Sequence, residues 1–424
     1  MKSRKKFSFF PLTLGCSKNQ VDIEYLLGEL KKEGHLIVGD INTADFVLIN
    51  TCSFINDARI ESEKIAKKIS KTKKVILLGC YVQMFKEKVF KIFPEINLFI
   101  GTESGQFKDF ILENLDSKKK LIKLNGNKKI FFSSERYPLN RFHTYIKISE
   151  GCFRKCSFCK IPSIRGTLRS KKIDEILKEV ENFSKKGFQE FELISEDSSL
   201  YGVDLYKKRM ILRLIEKLDK NFPDRLFRLL YVYPDNFIKD IVFAIKESKS
   251  FIKYIDVPFQ HVSHDVLKFM RRETVDVFEI SNMIKKTGLI LRSSFIVGFP
   301  QEREQDFQML KDFIKRGYID KLGLFLYSNE NEDLGDSVDF SKKVERFNKL
   351  INVNKKITIK KMKGKIGKYK NVVFYYSDNE YTYGRLIEDA PDIDDIVVTK
   401  NNVIEKFQIL KVKIKNVKGY TYFC

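Results

Sequence analysis

The chain contains no apolar run approaching the roughly 18 residues that a membrane helix requires, so no membrane span is expected. It has no internal repeat and no low-complexity tract. Its first residues, MKSRKK followed by 7–14, imitate a secretory signal. The apolar part is short and broken by Ser8 and Pro11, and Gly15-Cys16 is a poor lipoprotein cleavage match, so no leader is expected. Seven cysteines is an odd count for a chain without a secretion signal. That argues against a disulfide framework, and for metal ligation in a reducing, cytoplasmic compartment. Acidic residues are few beside basic ones, 56 against 79, leaving a formal charge of +23. Such a chain suits work near nucleic acid or a nucleic-acid machine. A lysine-rich genome would produce the same excess without any partner. At 424 residues, 43% of them hydrophobic, two or three domains with a sizeable core are expected.

The stretch that organises the rest is GCFRKCSFC, residues 151–159. Cys152, Cys156 and Cys159 stand at C-x3-C-x2-C spacing after a short apolar run that includes Tyr145, Ile146 and Ile148. Thiolates this close converge when something binds them, and disulfide pairing would leave one over. A structural zinc normally takes four ligands. No fourth cysteine or nearby downstream histidine completes this set, although His143 lies upstream. An iron–sulfur cluster held by three cysteines keeps one iron open to a substrate. The spacing, with Phe158 before the last cysteine, resembles the cluster loop of the radical S-adenosylmethionine enzymes.

The rest of the chain reads as an α/β multidomain protein. Over residues 7–130, near-continuous apolar strands (7–14, 46–49, 75–78) alternate with helices (21–32, 59–69), as in a parallel sheet covered on both faces. Each strand delivers one cysteine at its carboxyl end: Cys16, Cys52 and Cys80. Open parallel sheets bind ligands at that edge, so these three read as a second three-thiolate metal site. Residues 116–142 are basic and irregular, a linker. Six further strands, at 144–148, 190–194, 226–232, 254–257, 291–297 and 322–326, suggest a partial (β/α) barrel of TIM type. The Cys152 loop follows the first of them. After a basic helix at 344–363, short alternating strands from 364 to 424 suit a small antiparallel β-barrel. The expected domains are 1–130, 138–360 and 364–424.

Several blocks together resemble the methylthiotransferases: Leu14-Gly15-Cys16-Ser17-Lys18-Asn19, Asn50-Thr51-Cys52, Leu78-Gly79-Cys80 and the Cys152 loop. Ile161-Pro162-Ser163-Ile164-Arg165-Gly166 after the third cysteine, and the acidic run at 388–394, are similar to the RimO branch. So are Glu196-Asp197-Ser198, Gln260-His261, Met270-Arg271-Arg272 and the block ending in Gly298-Phe299-Pro300. Ser17 and Gln301 depart from the branch, which usually has Pro and Gly there. The resemblance implies a radical S-adenosylmethionine domain and a terminal TRAM domain. It implies one [4Fe–4S] cluster on Cys152, Cys156 and Cys159 that binds S-adenosylmethionine and yields a 5′-deoxyadenosyl radical. A second [4Fe–4S] cluster, on Cys16, Cys52 and Cys80, would hold or supply sulfur, and a second S-adenosylmethionine would give the methyl group. The implied substrate is the β-carbon of an aspartate in small-subunit ribosomal protein S-twelve. Implied partners are a reductant such as flavodoxin or ferredoxin and a sulfur donor, with the enzyme a monomer.

Phe158, Glu196, Gln260 and Gly298 are the cofactor-binding expectations. Glu196 would hold ribose. Gln260-His261 either faces the site or makes structural hydrogen bonds. Gly298 would allow the backbone close to the cofactor. Two other readings stay open: the same chemistry on a tRNA adenosine, and a zinc-stabilised RNA-binding protein without turnover. Residues 364–424 carry ten basic and eight acidic residues, a balance of only +2. The acidic run Glu388, Asp389, Asp392, Asp394 and Asp395 reads as a docking surface for a basic ribosomal protein, or as a solvated turn.

Overall fold

The computed structural model describes residues 5–126, 130–133, 135–272, 276–329, 334, 338–400 and 408–424. The amino-terminal part holds β1 (Ser8–Thr13), β2 (Leu36–Ile37), β3 (Phe46–Thr51), β4 (Lys74–Gly79), β5 (Leu98–Ile100) and β6 (Leu121–Lys123). They form one sheet in the order β2-β1-β3-β4-β5-β6, with every pair parallel. Helices cover both faces. Phe9, Leu48, Ile76 and Leu78 pack on one side, and Val47, Ile49, Val75 and Leu77 on the other. This double burial explains the continuous apolar runs of β3 and β4. Three strands were not foreseen from sequence. Each is two or three residues long, too short for an apolar run, and β6 lies inside the expected linker.

The barrel part begins with β7 (His143–Lys147) and the short pair β8 (Ser149–Glu150) and β9 (Arg169–Ser170). It continues through β10 (Glu190–Ile194), β11 (Leu226–Leu229), β12 (Phe251–Asp256), β13 (Ile290–Val297) and β14 (Lys321–Leu326). The sheet order β14-β13-β12-β11-β10-β7 is parallel throughout, the six-stranded open barrel expected from the strand pattern. Its outer face carries the main hydrophobic core, where Leu193, Leu229, Ile255, Leu291 and Phe295 meet the flanking helices. Its inner face is largely polar, with Glu190, Glu192, Arg228 and Asp256 all buried.

The helix Phe340–Lys363 leads into β15 (Tyr369–Ser377), β16 (Tyr381–Leu386), β17 (Ile396–Lys400), β18 (Gln408–Lys413), β19 (Asn416–Lys418) and β20 (Thr421–Phe423). Their order is β18-β15-β16-β17-β20-β19. The antiparallel barrel expected here is instead a six-stranded mixed sheet. The closing hairpin β19–β20 returns the chain beside β17 in the same direction, and that pair is parallel.

The acidic loop at 388–395 is not a free surface. It plugs the amino-terminal end of the barrel. Asp389 and Asp395 pair with Lys321 at 2.7 and 2.6 Å, Glu388 pairs with Lys370 at 2.9 Å, and Tyr145 donates to Asp392 at 3.0 Å. Arg228 donates to the carbonyl oxygens of Ile387, Glu388 and Asp389, and Arg385 of the terminal sheet pairs with Glu190. The loop is an internal connector, so the docking reading falls. His143 also belongs here, between Glu192 (3.2 Å) and Asp392 (3.4 Å), and not with the cysteines. Burial lowers its pKa, but the two carboxylates outweigh this and hold it at about 10.

That folded value lies above the ordinary value of about 6.5. The His143 contribution to stability is therefore complete below about pH 6.5 and is lost as the pH rises through 10. Denaturant unfolding of the parent should lose up to about 1.4 kcal/mol per pH unit in that window, relative to His143→Gln. Parallel pH profiles would refute the latch.

Candidate active site

Each cysteine of the first triplet sits where a parallel strand ends. Cys16 follows β1 and precedes the helix Ser17–Lys32, Cys52 follows β3, and Cys80 starts the helix Cys80–Phe85 after β4. The fold brings them together. The Cys16 and Cys80 thiols both contact Asn19 Oδ1, at 3.6 and 3.5 Å. A Cβ at Gly15 would lie 3.3 Å from the Cβ of Cys52. Burial pushes the Cys80 thiol up to about 12 and raises Cys52 as well.

The second triplet lines an open cavity of about 450 Å³, whose wall includes Cys152, Cys156, Cys159, Arg154, Pro162, Thr167 and Arg271. The loop is fixed by its backbone. Gly151 has φ +76, and a Cβ there would meet the Thr167 carbonyl oxygen at 2.3 Å. Cys152 N donates to Gly166 O at 3.1 Å. Backbone amides also point at sulfur: Arg154 N to Cys152 at 3.3 Å and Ile161 N to Cys159 at 3.5 Å. Burial raises Cys152 to about 12 and Cys159 to about 11. Thiols so placed ionise when a metal supplies the opposing charge. All seven cysteines are free of disulfides.

Arginines surround this cavity. Arg154 pairs with Asp197 and Asp235 at 2.9 Å each and lies 3.7 Å from the Tyr233 ring centre. Arg272 covers the same ring at 4.3 Å and donates to the Cys156 sulfur at 3.7 Å.

One residue links the first triplet to the barrel. Arg165, at the end of the helix Ile161–Arg165, crosses to the amino-terminal sheet. It donates to Asn19 Oδ1 at 2.8 Å and to the Cys80 sulfur at 3.5 Å, and it pairs with Asp22 and Glu150. Its Nε stands 3.8 Å from Glu196. Glu196 is buried, and neither of its oxygens has a hydrogen-bond partner among the described residues. Burial first, and the Glu150 charge second, raise it to about 7. Its charge also acts on Cys152 and Cys159. Such an orphaned carboxylate beside a thiol-lined cavity fits a ligand rich in donors. The residues present thus suit a cysteine-bound cluster with a nucleoside-bearing ligand beside it.

The other expectations divide. Phe158 packs against the barrel core. Gln260 has φ +73 and bridges β13, through its N–H to Ser294 O and its own carbonyl to Ile296 N. His261 is structural. It is fully buried, accepts from Ser263 N at 3.0 Å, and burial lowers it to about 4. Gly298 has φ +76, the left-handed region that favours glycine, and a Cβ there would also meet Lys343 Cγ at 2.3 Å. Gln301 has φ +68, the left-handed region that favours glycine. Lys18, Arg165, Arg272, Tyr231 and Tyr233 were not foreseen as site residues. The available signal was position: Lys18 and Arg165 lie two and six residues from a cysteine inside motif blocks.

Among the described residues, no three His, Cys, Asp or Glu side chains form a single-ion site. One tetrahedral zinc draws its thiolates to about 2.3 Å from one point. The cysteines of an iron–sulfur cube each bind a different iron and stand farther apart.

Replacing Gly151 by Ala should cost about 1–3 kcal/mol in strain and displace Cys152. We expect a lower unfolding midpoint and loss of iron uptake at this loop alone; full iron loading would contradict it.

Residues 8–101 match the uncharacterized protein family UPF0004, and residues 146–314 match the radical SAM superfamily. The chain is 39% identical to the ribosomal protein uS12 methylthiotransferase RimO of Aquifex aeolicus, over 96% of this chain and 95% of that one. It is 37% identical to the RimO of Thermodesulfovibrio yellowstonii, over 98% of both. In fold it resembles the radical S-adenosylmethionine methyltransferase TsrM of Kitasatospora setae, with TM-score 0.56, 12% identity, and 76% and 75% of the two chains covered. It also resembles the cobalamin-dependent S-adenosylmethionine radical enzyme OxsB, with TM-score 0.52, 14% identity, and 84% and 56% covered. The chain belongs to the RimO-type radical S-adenosylmethionine methylthiotransferases and is a transferase.

Proposed function

We propose that this enzyme methylthiolates the β-carbon of an aspartate in ribosomal protein uS12, using two [4Fe–4S] clusters. The observation that carries this is that Arg165 joins Cys80 of one triplet to Glu196, whose charge acts on Cys152 and Cys159 of the other. The relatives' names support the substrate. Cys152, Cys156 and Cys159 would hold the cluster that binds S-adenosylmethionine, and Cys16, Cys52 and Cys80 the cluster that carries sulfur. Bound there, these groups supply one-electron cleavage of a sulfonium, hydrogen abstraction from an unactivated carbon, and sulfur transfer.

The chain's own residues do the rest. Glu196 offers two buried acceptor oxygens to hydroxyl or ammonium donors of the cofactor. Arg272 and the amides of Arg154 and Ile161 stabilise negative charge on sulfur. Arg165 and Asn19 fix the Cys80 side of the other site against the barrel. Three working units, 1–130, 138–360 and a TRAM-like 364–424, serve this chemistry. A reductant such as flavodoxin or ferredoxin, a sulfur donor and a second S-adenosylmethionine for the methyl group complete it.

Anaerobically reconstituted protein should hold about eight irons per chain. Replacing all of Cys152, Cys156 and Cys159 by Ala should halve the iron and abolish S-adenosylmethionine cleavage. Replacing Cys16, Cys52 and Cys80 should halve the iron, keep some cleavage and end methylthiolation. Mass spectrometry of uS12 and tRNA after reaction tests the substrate. A product on tRNA alone refutes the assignment.

A further inference from the structure

Lys18 is a buried charge without an acceptor. It lies in the first turn of the helix Ser17–Lys32, two residues after Cys16, and is 7% exposed. Two other buried lysines meet carboxylates: Lys147 pairs with Asp22 and Glu150, and Lys171 with Glu179. Among the described residues, the Lys18 ammonium has no hydrogen-bond or ion-pair partner. Its one close contact is the Tyr231 ring, 3.4 Å from Nζ to the ring centre. Burying an ammonium is costly unless hydrogen bonds compensate, and one aromatic face returns only part of that cost.

The surroundings say what would compensate. Cys16, two residues before it, and Glu196 are both near enough to act on the Lys18 ammonium. Glu196 in turn acts on Cys152 and Cys159. The ammonium stands where the helix that follows Cys16 meets the barrel, over Tyr231 just after β11. Tyr231 is held beneath it in a left-handed backbone, φ +61, by Asp256 accepting from its N–H and Ser198 N donating to its carbonyl. Strained residues of this kind persist where a site needs them. The ring covers one side of the ammonium and leaves its remaining donors for an anion.

We propose that Lys18 binds the side-chain carboxylate of the substrate aspartate and so selects that residue. The inference rests on the substrate reading above. The reacting β-carbon is bonded directly to that carboxylate, so a fixed ammonium would position the carbon as well as recognise the charge. A lysine provides this as a compact donor of charge-assisted hydrogen bonds.

The test uses the anaerobically reconstituted enzyme with uS12 and with uS12 whose target aspartate is changed to Asn. Binding of each, and of S-adenosylmethionine, is measured for the parent and for Lys18→Met. The parent should prefer aspartate by about 10- to 100-fold, the worth of a hydrogen bond to a charged group. Lys18→Met should lose that preference while its S-adenosylmethionine affinity stays within about twofold. It should also unfold at the same or a higher temperature without substrate, because an uncompensated buried charge has gone. A structural lysine would give a lower one. Undiminished preference in Lys18→Met, or a loss confined to S-adenosylmethionine binding, overturns the proposal. A parent that binds and modifies neither form of uS12 overturns the substrate reading and this inference with it.

Discussion

Everything in this molecule depends on one buried layer of charge between the helix Ser17–Lys32 and the barrel. Asp22 meets Lys147 and Arg165, and Glu150 meets both of these from the barrel side. Farther along the helix, Arg136 joins Glu24 to Glu179, and Lys171 and Tyr25 share Glu179. Removing one partner from such a network strands a buried charge and costs about 3–5 kcal/mol, whereas an oily contact would slide at little cost. Direction is what the charges supply. They fix the register of the amino-terminal sheet on the barrel, and with it the position of Cys16 and Cys80 relative to the Cys152 loop. The proposed reaction would need both centres on one substrate carbon, so small displacements would be expensive in rate.

The same principle operates at the other end of the barrel. The loop at 388–395 carries five acidic residues, four of which Lys321, His143, Tyr145 and Lys370 engage. The polar inner face of the barrel is thus closed by charge from both sides: a helix at the carboxyl end of the strands and a loop at the amino end. Hydrophobic packing holds the outer face, where the helices lie. At the helix-covered end, among the described residues, Glu196 and Lys18 lack the hydrogen-bond partners that the rest of the network has.

The cysteines, and the strands that deliver them, were legible because period and spacing are local properties. β3, β4 and the six barrel strands each leave an apolar run, and C-x3-C-x2-C is visible at a glance. The two- and three-residue strands leave no run. The acidic loop was misread because its partners are remote: Asp392 bonds Tyr145 across 247 residues, and a charge run looks alike whether it faces water or a barrel. Arg165 and Lys18 were hidden for the same reason. Gly298 was legible as a constrained position, but its neighbour Lys343 was not, because that residue lies on a later helix.

The central claim is that the two triplets form one site. Pulsed electron paramagnetic resonance on the anaerobically reconstituted, reduced enzyme tests it directly. The account predicts two cluster signals that are magnetically coupled to each other, with the coupling lost when either triplet is removed. Two independent signals in the intact enzyme, or a single signal that survives loss of Cys16, Cys52 and Cys80 unchanged, would contradict it.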